Sequence, residues 1–143
     1  MDDDLHGYYF EDLKEGMTAS FGKTITEGDI YTFAGVSGDL NPVHVNEEFA
    51  KTTMFKGRIA HGMIGAAFIS AVLGTKLPGP GCIYVKQDLK FKAPVKIGDT
   101  LMAKVTIKKL IPEKKFAECE TICTVGDKKV IEGEALVMVP ARG

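Results

Sequence analysis

The sequence predicts an α+β domain in which an antiparallel sheet wraps one long buried helix. Two observations carry this. Residues 61–74 (HGMIGAAFISAVLG) are apolar nearly all the way round, as in a helix buried on most sides. From Gly81 onward the hydrophobic period drops to two and stays there through four strand-like runs. A helix followed by a meander of strands is an α+β order, and alternating βαβ units are disfavoured.

Residues 17–25 (MTASFGKTI) read as a first strand. Thr26 and Asp29 then stand three apart in a capping-box arrangement, so a short helix follows, with Ile30, Phe33, Ala34 and Val36 as its apolar side. It must stop near Gly38. Asn41 precedes Pro42 and is pushed toward an extended conformation. A second helical piece is expected at residues 47–52, then a loop at 55–59, then the long helix, ended by Gly74. Ile83, Val85, Gln87, Leu89 and Phe91 alternate with polar neighbours as in a half-buried strand. Leu101, Ala103, Val105 and Ile107 alternate likewise. Residues 116–125 and 130–139 give two more strands across a Gly126-Asp127 turn.

Composition sets limits on function. The chain has 143 residues, 45% hydrophobic and 26% charged, without repeats, low-complexity tracts or linkers. It is expected to form a single domain over 1–143, with its core over about 10–139. A net charge of -1 offers no broad basic face to nucleic acid or to an anionic membrane. The acidic start lacks the pattern of a signal peptide, the longest apolar run is too short to cross a bilayer, and a cytoplasmic location is expected. Cys119 and Cys123, four apart in a strand, should share a face as core thiols, with Cys82 also reduced.

Gly38-Asp-Leu-Asn-Pro-Val-His44 carries the chemistry. In a continuous helix, five steps of about 100° would leave Asp39 and His44 roughly 140° apart. Pro42 forbids that helix, and the bend can aim both side chains at one point. A carboxylate and an imidazole sharing one water can do general acid–base work. Asp and His in a loop also cap helices and satisfy backbone groups, so spacing alone leaves both roles open.

Gly62 opens the long helix, where unpaired N–H groups and the helix dipole favour negative charge. It can receive a developing oxyanion, or only permit close packing. For His61 a cap or structural role is the simpler reading. Ser70, the lone hydroxyl of the helix, can bond back to the Ala66 carbonyl or face a substrate. Lys56, Arg58, Lys86, Lys90 and Lys92 are candidates for phosphate contacts or simply solvated surface. His6 falls in a loose N-terminal stretch.

Together with Arg58-Ile-Ala-His-Gly-Met63, Leu77-Pro-Gly-Pro-Gly-Cys-Ile-Tyr84 and Phe91-Lys-Ala-Pro-Val-Lys-Ile-Gly-Asp99, the Asp39–His44 motif resembles the MaoC-like (R)-specific enoyl-CoA hydratases, from about Phe10 to Val139. The resemblance implies a hot-dog fold and hydration of a trans-2-enoyl-CoA to the (R)-3-hydroxyacyl-CoA. It implies Asp39 and His44 as the water-activating pair, the Gly62 N–H on the thioester oxygen, and Ser70 near the catalytic water. Asn41 would fix the loop, and with His61 and Met63 it is placed among the substrate-facing residues. An acyl-CoA substrate and a homodimer are implied, without cofactor or metal, because hydration is redox-neutral and the motif supplies acid and base. The alternatives are a dehydratase acting on acyl carrier protein, a thioesterase and a non-catalytic acyl-CoA-binding subunit. A thioesterase would want a carboxylate on the central helix, which has none.

Overall fold

The computed structural model describes residues 4–143; the first three residues of the acidic start lie outside them. β1 (Thr18–Thr24) leads into α1 (Glu27–Ser37). The capping box forms between the predicted residues. The Asp29 N–H donates to Thr26 Oγ1 at 3.1 Å, and the Thr26 N–H donates to Asp29 Oδ2 at 2.9 Å. Gly38 closes α1 in the left-handed region at φ 78°, a geometry that favours glycine. Ile30 and Ala34 are buried, but Val36 is 82% exposed. Six residues beyond Ile30 the helix has turned by about 240°, which carries Val36 to the opposite side.

Two single-turn helices follow, α2 (Pro42–Val45) and α3 (Glu47–Ala50), where the sequence points to one piece. Pro42 opens α2, because a first helical residue needs no N–H partner. Next comes α4 (Gly62–Thr75), ending one residue later than expected. Ile64, Ile69, Val72 and Leu73 are buried in the core. Gly65 lets α4 pack closely on the sheet, since a Cβ there would overlap Ile131 Cδ1. The expected burial on most sides fails along one stripe. Met63, Ala67, Ser70 and Gly74 are exposed, because one chain's sheet covers only the other side of the helix.

The sheet comprises β1, β2 (Ile83–Gln87), β3 (Lys90–Phe91), β4 (Thr100–Ile111), β5 (Phe116–Val125) and β6 (Lys128–Met138). Its order is β1-β4-β5-β6-β2, with β3 also on β6 and every pairing antiparallel. Leu101, Ala103, Val105 and Ile107 are buried as their alternation requires, and Cys119 and Cys123 are buried opposite them. Burial of this kind contributes about 1.5–3 kcal/mol per large aliphatic side chain.

The expected half-buried strand over 83–91 is corrected. It splits into β2 and β3, its register shifts between Tyr84 and Lys86, and Ile83 and Val85 remain 51% and 49% exposed. Ile83 and Val85 lie on a sheet edge and stay half exposed, whereas Leu89 packs against the core. The N-terminal stretch is also more ordered than expected: the His6 ring stacks on Tyr9 at 4.0 Å and lies against Gly81.

Candidate active site

The turn after Gly38 is built from short side-chain to backbone bonds. The Asp39 N–H donates to Ser37 Oγ at 3.1 Å, and the Asn41 N–H donates to Asp39 Oδ1 at 3.2 Å. Asn41 Oδ1 in turn accepts from the Val43 N–H at 3.1 Å, capping α2. One turn of α2 then carries His44 inward. Its side chain is buried, and its Nδ1–H donates to the Ile59 carbonyl at 2.8 Å. A carbonyl can only accept, so the neutral ring keeps its proton on Nδ1 and presents Nε2 as the lone-pair nitrogen.

His61 arrives from the start of α4 and is 2% exposed. It occupies the N-cap position without capping. Instead its Nε2–H donates to the Asp39 backbone carbonyl at 2.9 Å. The His61 and His44 rings stack with centroids 3.9 Å apart and planes 28° apart. A carboxylate oxygen of Asp39 and one ring nitrogen from each histidine lie within 4.8 Å of one another. One water accepting or donating at about 2.8 Å on each side spans such a gap.

Burial, above all, holds His44 below the ordinary histidine value, and charge on His61 pushes the same way. The Ile59 carbonyl and the Asp39 carboxylate act in the opposite direction. Near pH 7 the ring is therefore neutral and able to accept a proton at Nε2.

His44, His61, Gly62, Gly65, Phe91 and Ile131 contribute to the lining of a largely apolar cavity of about 510 Å³. The Gly62 N–H at the head of α4 has no partner among the described residues and belongs to this cavity wall. The structure thus brings Asp39, His44, His61 and Gly62 together, with Asn41 bracing the loop behind them. Met63 lies at the boundary and also lines a second cavity of about 570 Å³ between α4 and β2.

Ser70 belongs to that second cavity, with Phe33, Tyr84 and Gln87. It stands eight residues along α4 from Gly62, roughly 12 Å by helix rise. No bond to the Ala66 carbonyl forms, so of the two sequence readings of Ser70 the back-bonded one fails.

Arg58 also departs from expectation. Its side chain turns inward, where Nε–H donates to the His44 carbonyl at 2.7 Å and Nη1–H to Glu27 Oε1 at 2.7 Å. The guanidinium lies 5.3 Å from the Tyr31 ring centre. Arg58 is therefore committed to holding α2 against α1. The nearest sequence signal was its place three residues before His61. Among the other candidate cations, Lys92 pairs with Glu132 at 3.3 Å.

The Asp39, His44 and His61 side chains are also the sort that ligate metals. A zinc ion needs lone pairs converging at about 2.0–2.1 Å. Two nearly parallel stacked rings direct their in-plane lone pairs side by side, and one nitrogen of each is already bonded to a carbonyl. The geometry suits a proton and a water better than a cation.

Known proteins resemble this chain along most of its length. The model of the MaoC like domain family matches residues 11–133. The chain is 69% identical over 141 residues to an (R)-specific enoyl-CoA hydratase of Rhodospirillum rubrum, covering 99% of this chain and 98% of that one. It is 50% identical over 139 residues to a 3-hydroxybutyryl-CoA dehydratase of Methylorubrum extorquens, covering 97% and 88%. Among solved structures, an unliganded R-hydratase from Pseudomonas aeruginosa superposes with a TM-score of 0.90 at 42% identity, covering 95% of this chain and 88% of that one.

Proposed function

The chain belongs to the MaoC-like domain family, and from that premise we propose that it adds water reversibly across the double bond of a trans-2-enoyl-CoA to give the (R)-3-hydroxyacyl-CoA. It is a hydro-lyase on a hot-dog fold. The observation that carries the reading is the convergence of the Asp39 carboxylate and a buried, neutral His44 beside the free Gly62 N–H at an apolar cavity. The whole chain, 1–143, is read as one domain serving this reaction.

The site residues then take these roles. A water held between Asp39 and His44 loses a proton to the pair as its oxygen bonds to the β-carbon of the enoyl thioester. The electrons of the double bond move toward the thioester oxygen, whose negative charge meets the Gly62 N–H and the positive end of α4. The pair then returns one proton to the α-carbon, and atoms and charge balance. Asp39 and His44 share the acid and base steps. Run backward, the same arrangement dehydrates a 3-hydroxyacyl thioester. Met63, half exposed between the two cavities, is placed against the substrate.

The working form is a homodimer. The bare stripe on α4 and the apolar β2 edge, with Ile83 and Val85 half exposed, support a second copy covering that face. Cys82, Cys119 and Cys123 are free thiols, in keeping with a reducing cytoplasm. Among the described residues no helix is long and apolar enough to cross a membrane.

The test mixes purified protein with crotonyl-CoA, follows loss of the conjugated enoyl-thioester absorbance, and assays the product with an (R)-specific 3-hydroxyacyl-CoA dehydrogenase. Consumption with (R) product is expected. No turnover on short, medium or long enoyl-CoAs would overturn the reading.

A further inference from the structure

We propose that His61 is a positioning residue that locks the Asp39 loop and the His44 ring into one unit and sets the electrostatic environment of His44. The effect on turnover rests on the hydratase reading, whereas the effect on His44 does not.

The side chain of His61 is committed on three sides. Its Nε2–H holds the Asp39 carbonyl at 2.9 Å, its ring stacks on His44 at 3.9 Å, and the Phe33 ring lies 4.9 Å away at 52°. Asp39 itself sits in an exposed turn whose other bonds are all local. The His61 bond is the one that ties this turn to the long helix, across 22 residues of sequence. Without it, the loop is fixed to α1 and α2 but not to Gly62.

The choice of histidine needs explaining, because its Nδ1 is buried without a partner. Phenylalanine would fill the same space with no stranded polar atom. What histidine supplies beyond volume is the Nε2–H donor and a titratable ring laid flat on His44. The charged and titratable groups around His44 are His61 on its face, the Asp39 carboxylate nearby, and Arg58 on its backbone carbonyl. Glu27 and Glu47 in turn accept from the side chain and the backbone N–H of Arg58. His61 is the group of this set that meets the His44 ring face to face. Its charge lowers the affinity of His44 for a proton, in the same direction as burial.

Two variants separate the functions of the ring. His61→Phe keeps the stack and loses the donor; His61→Gln reaches the Asp39 carbonyl with an N–H and loses the ring. The chain has only three histidines, so imidazole NMR resonances of His6, His44 and His61 are assignable by substitution. In His61→Phe, His44 should titrate at higher pH by about half a unit or more. On crotonyl-CoA, kcat should fall about 10- to 100-fold with KM changed less than about threefold, the scale for small misplacement of a reacting group. His61→Gln should recover turnover to within about tenfold of wild type while His44 still titrates high.

Folding of each variant is checked by circular dichroism, and if His61→Phe does not fold, the His44 titration in His61→Gln decides. A titration of His44 unmoved in the folded variants would overturn the proposal, even if kcat fell, because that pattern belongs to packing alone. If the wild-type protein hydrates no enoyl-CoA, the hydratase reading falls, and the His44 titration still decides the role of His61.

Discussion

His44 donates its Nδ1–H to the Ile59 carbonyl across 2.8 Å, so a backbone group 15 residues away dictates which nitrogen faces the cavity. The pH dependence follows from the direction of the His44 shift. Burial chiefly, together with His61, lowers its affinity for protons relative to the ordinary value of 6.5. Between the lowered value and 6.5 the unfolded chain binds more protons than the folded one at this site. This group therefore costs no stability above that window, and stability falls as pH drops through it. With crotonyl-CoA, kcat/KM should hold level just below pH 6.5 and decline only further down, whereas the His44 contribution to the melting temperature should begin to fall at pH 6.5. An acid limb centred at or above the ordinary histidine value would contradict the structure.

Replacing Asp39 by Asn separates charge from shape. The Asn41 N–H bond to Oδ1 survives, because an amide oxygen accepts as a carboxylate oxygen does. Turnover should nonetheless drop at least about 100-fold, the scale for losing a general acid or base. His44→Ala should drop it by a similar factor. Steady-state rates and a thermal melt for each variant check this, and full activity in either folded variant removes the proposed mechanism.

At Gly62 the obstacle is the Phe91 ring. A Cβ on residue 62 would stand 2.8 Å from Phe91 Cδ1 and Cε1, so the ring must swing aside. Phe91 is half exposed and free to move, so Gly62→Ala should fold. The displaced ring and the new methyl then crowd the approach to the Gly62 N–H, and kcat should fall at least about tenfold. Pairing it with Phe91→Leu should relieve the crowding and restore part of the rate. Wild-type kcat in Gly62→Ala would mean that the substrate oxygen does not use this N–H.

Arg58→Lys tests the brace behind His44. One ammonium cannot replace a fork that reaches both the His44 carbonyl and Glu27 while lying on Tyr31. The loss should be about 1–3 kcal/mol of unfolding free energy, read from urea denaturation, with a parallel fall in kcat. An unchanged midpoint would assign Arg58 to the surface, where the sequence placed it as a candidate.

The contrast between Arg58 and the Thr26–Asp29 box shows where sequence reading works. The box spans three residues, and its two bonds depend on little beyond local backbone geometry. The alternation of Leu101 to Ile107 is legible for the same reason: a strand against a helix has only one buried face. Asp39 and His44 were legible as a pair because Pro42 dictates a bend between them. The His44–His61 stack was not, since it joins α2 to α4 through the placement of a whole loop. Ser70 was legible only in part: residue type and helix position mark it, but its place in a second cavity beside Phe33 and Tyr84 depends on tertiary packing. Val36 and the α4 stripe look apolar enough for a core; the turn of α1 leaves the first bare, and the sheet's one-sided wrap leaves the second.

The bare face also gives a prediction about assembly. β2 is a sheet edge whose unpaired backbone groups run beside half-exposed Ile83 and Val85, a combination that invites pairing with another strand. With a chain mass of 15.5 kDa, sedimentation of the wild-type protein should give about twice that mass. Val85→Lys puts a charge in the middle of this edge, where desolvating it on pairing is costly. The variant should shift toward the monomer at micromolar concentration while its melting transition remains cooperative, because residue 85 contributes no buried side chain to the single chain's core. A wild-type monomer would leave the β2 edge without the partner proposed for it, and a Val85→Lys dimer of unchanged strength would move the interface to another face.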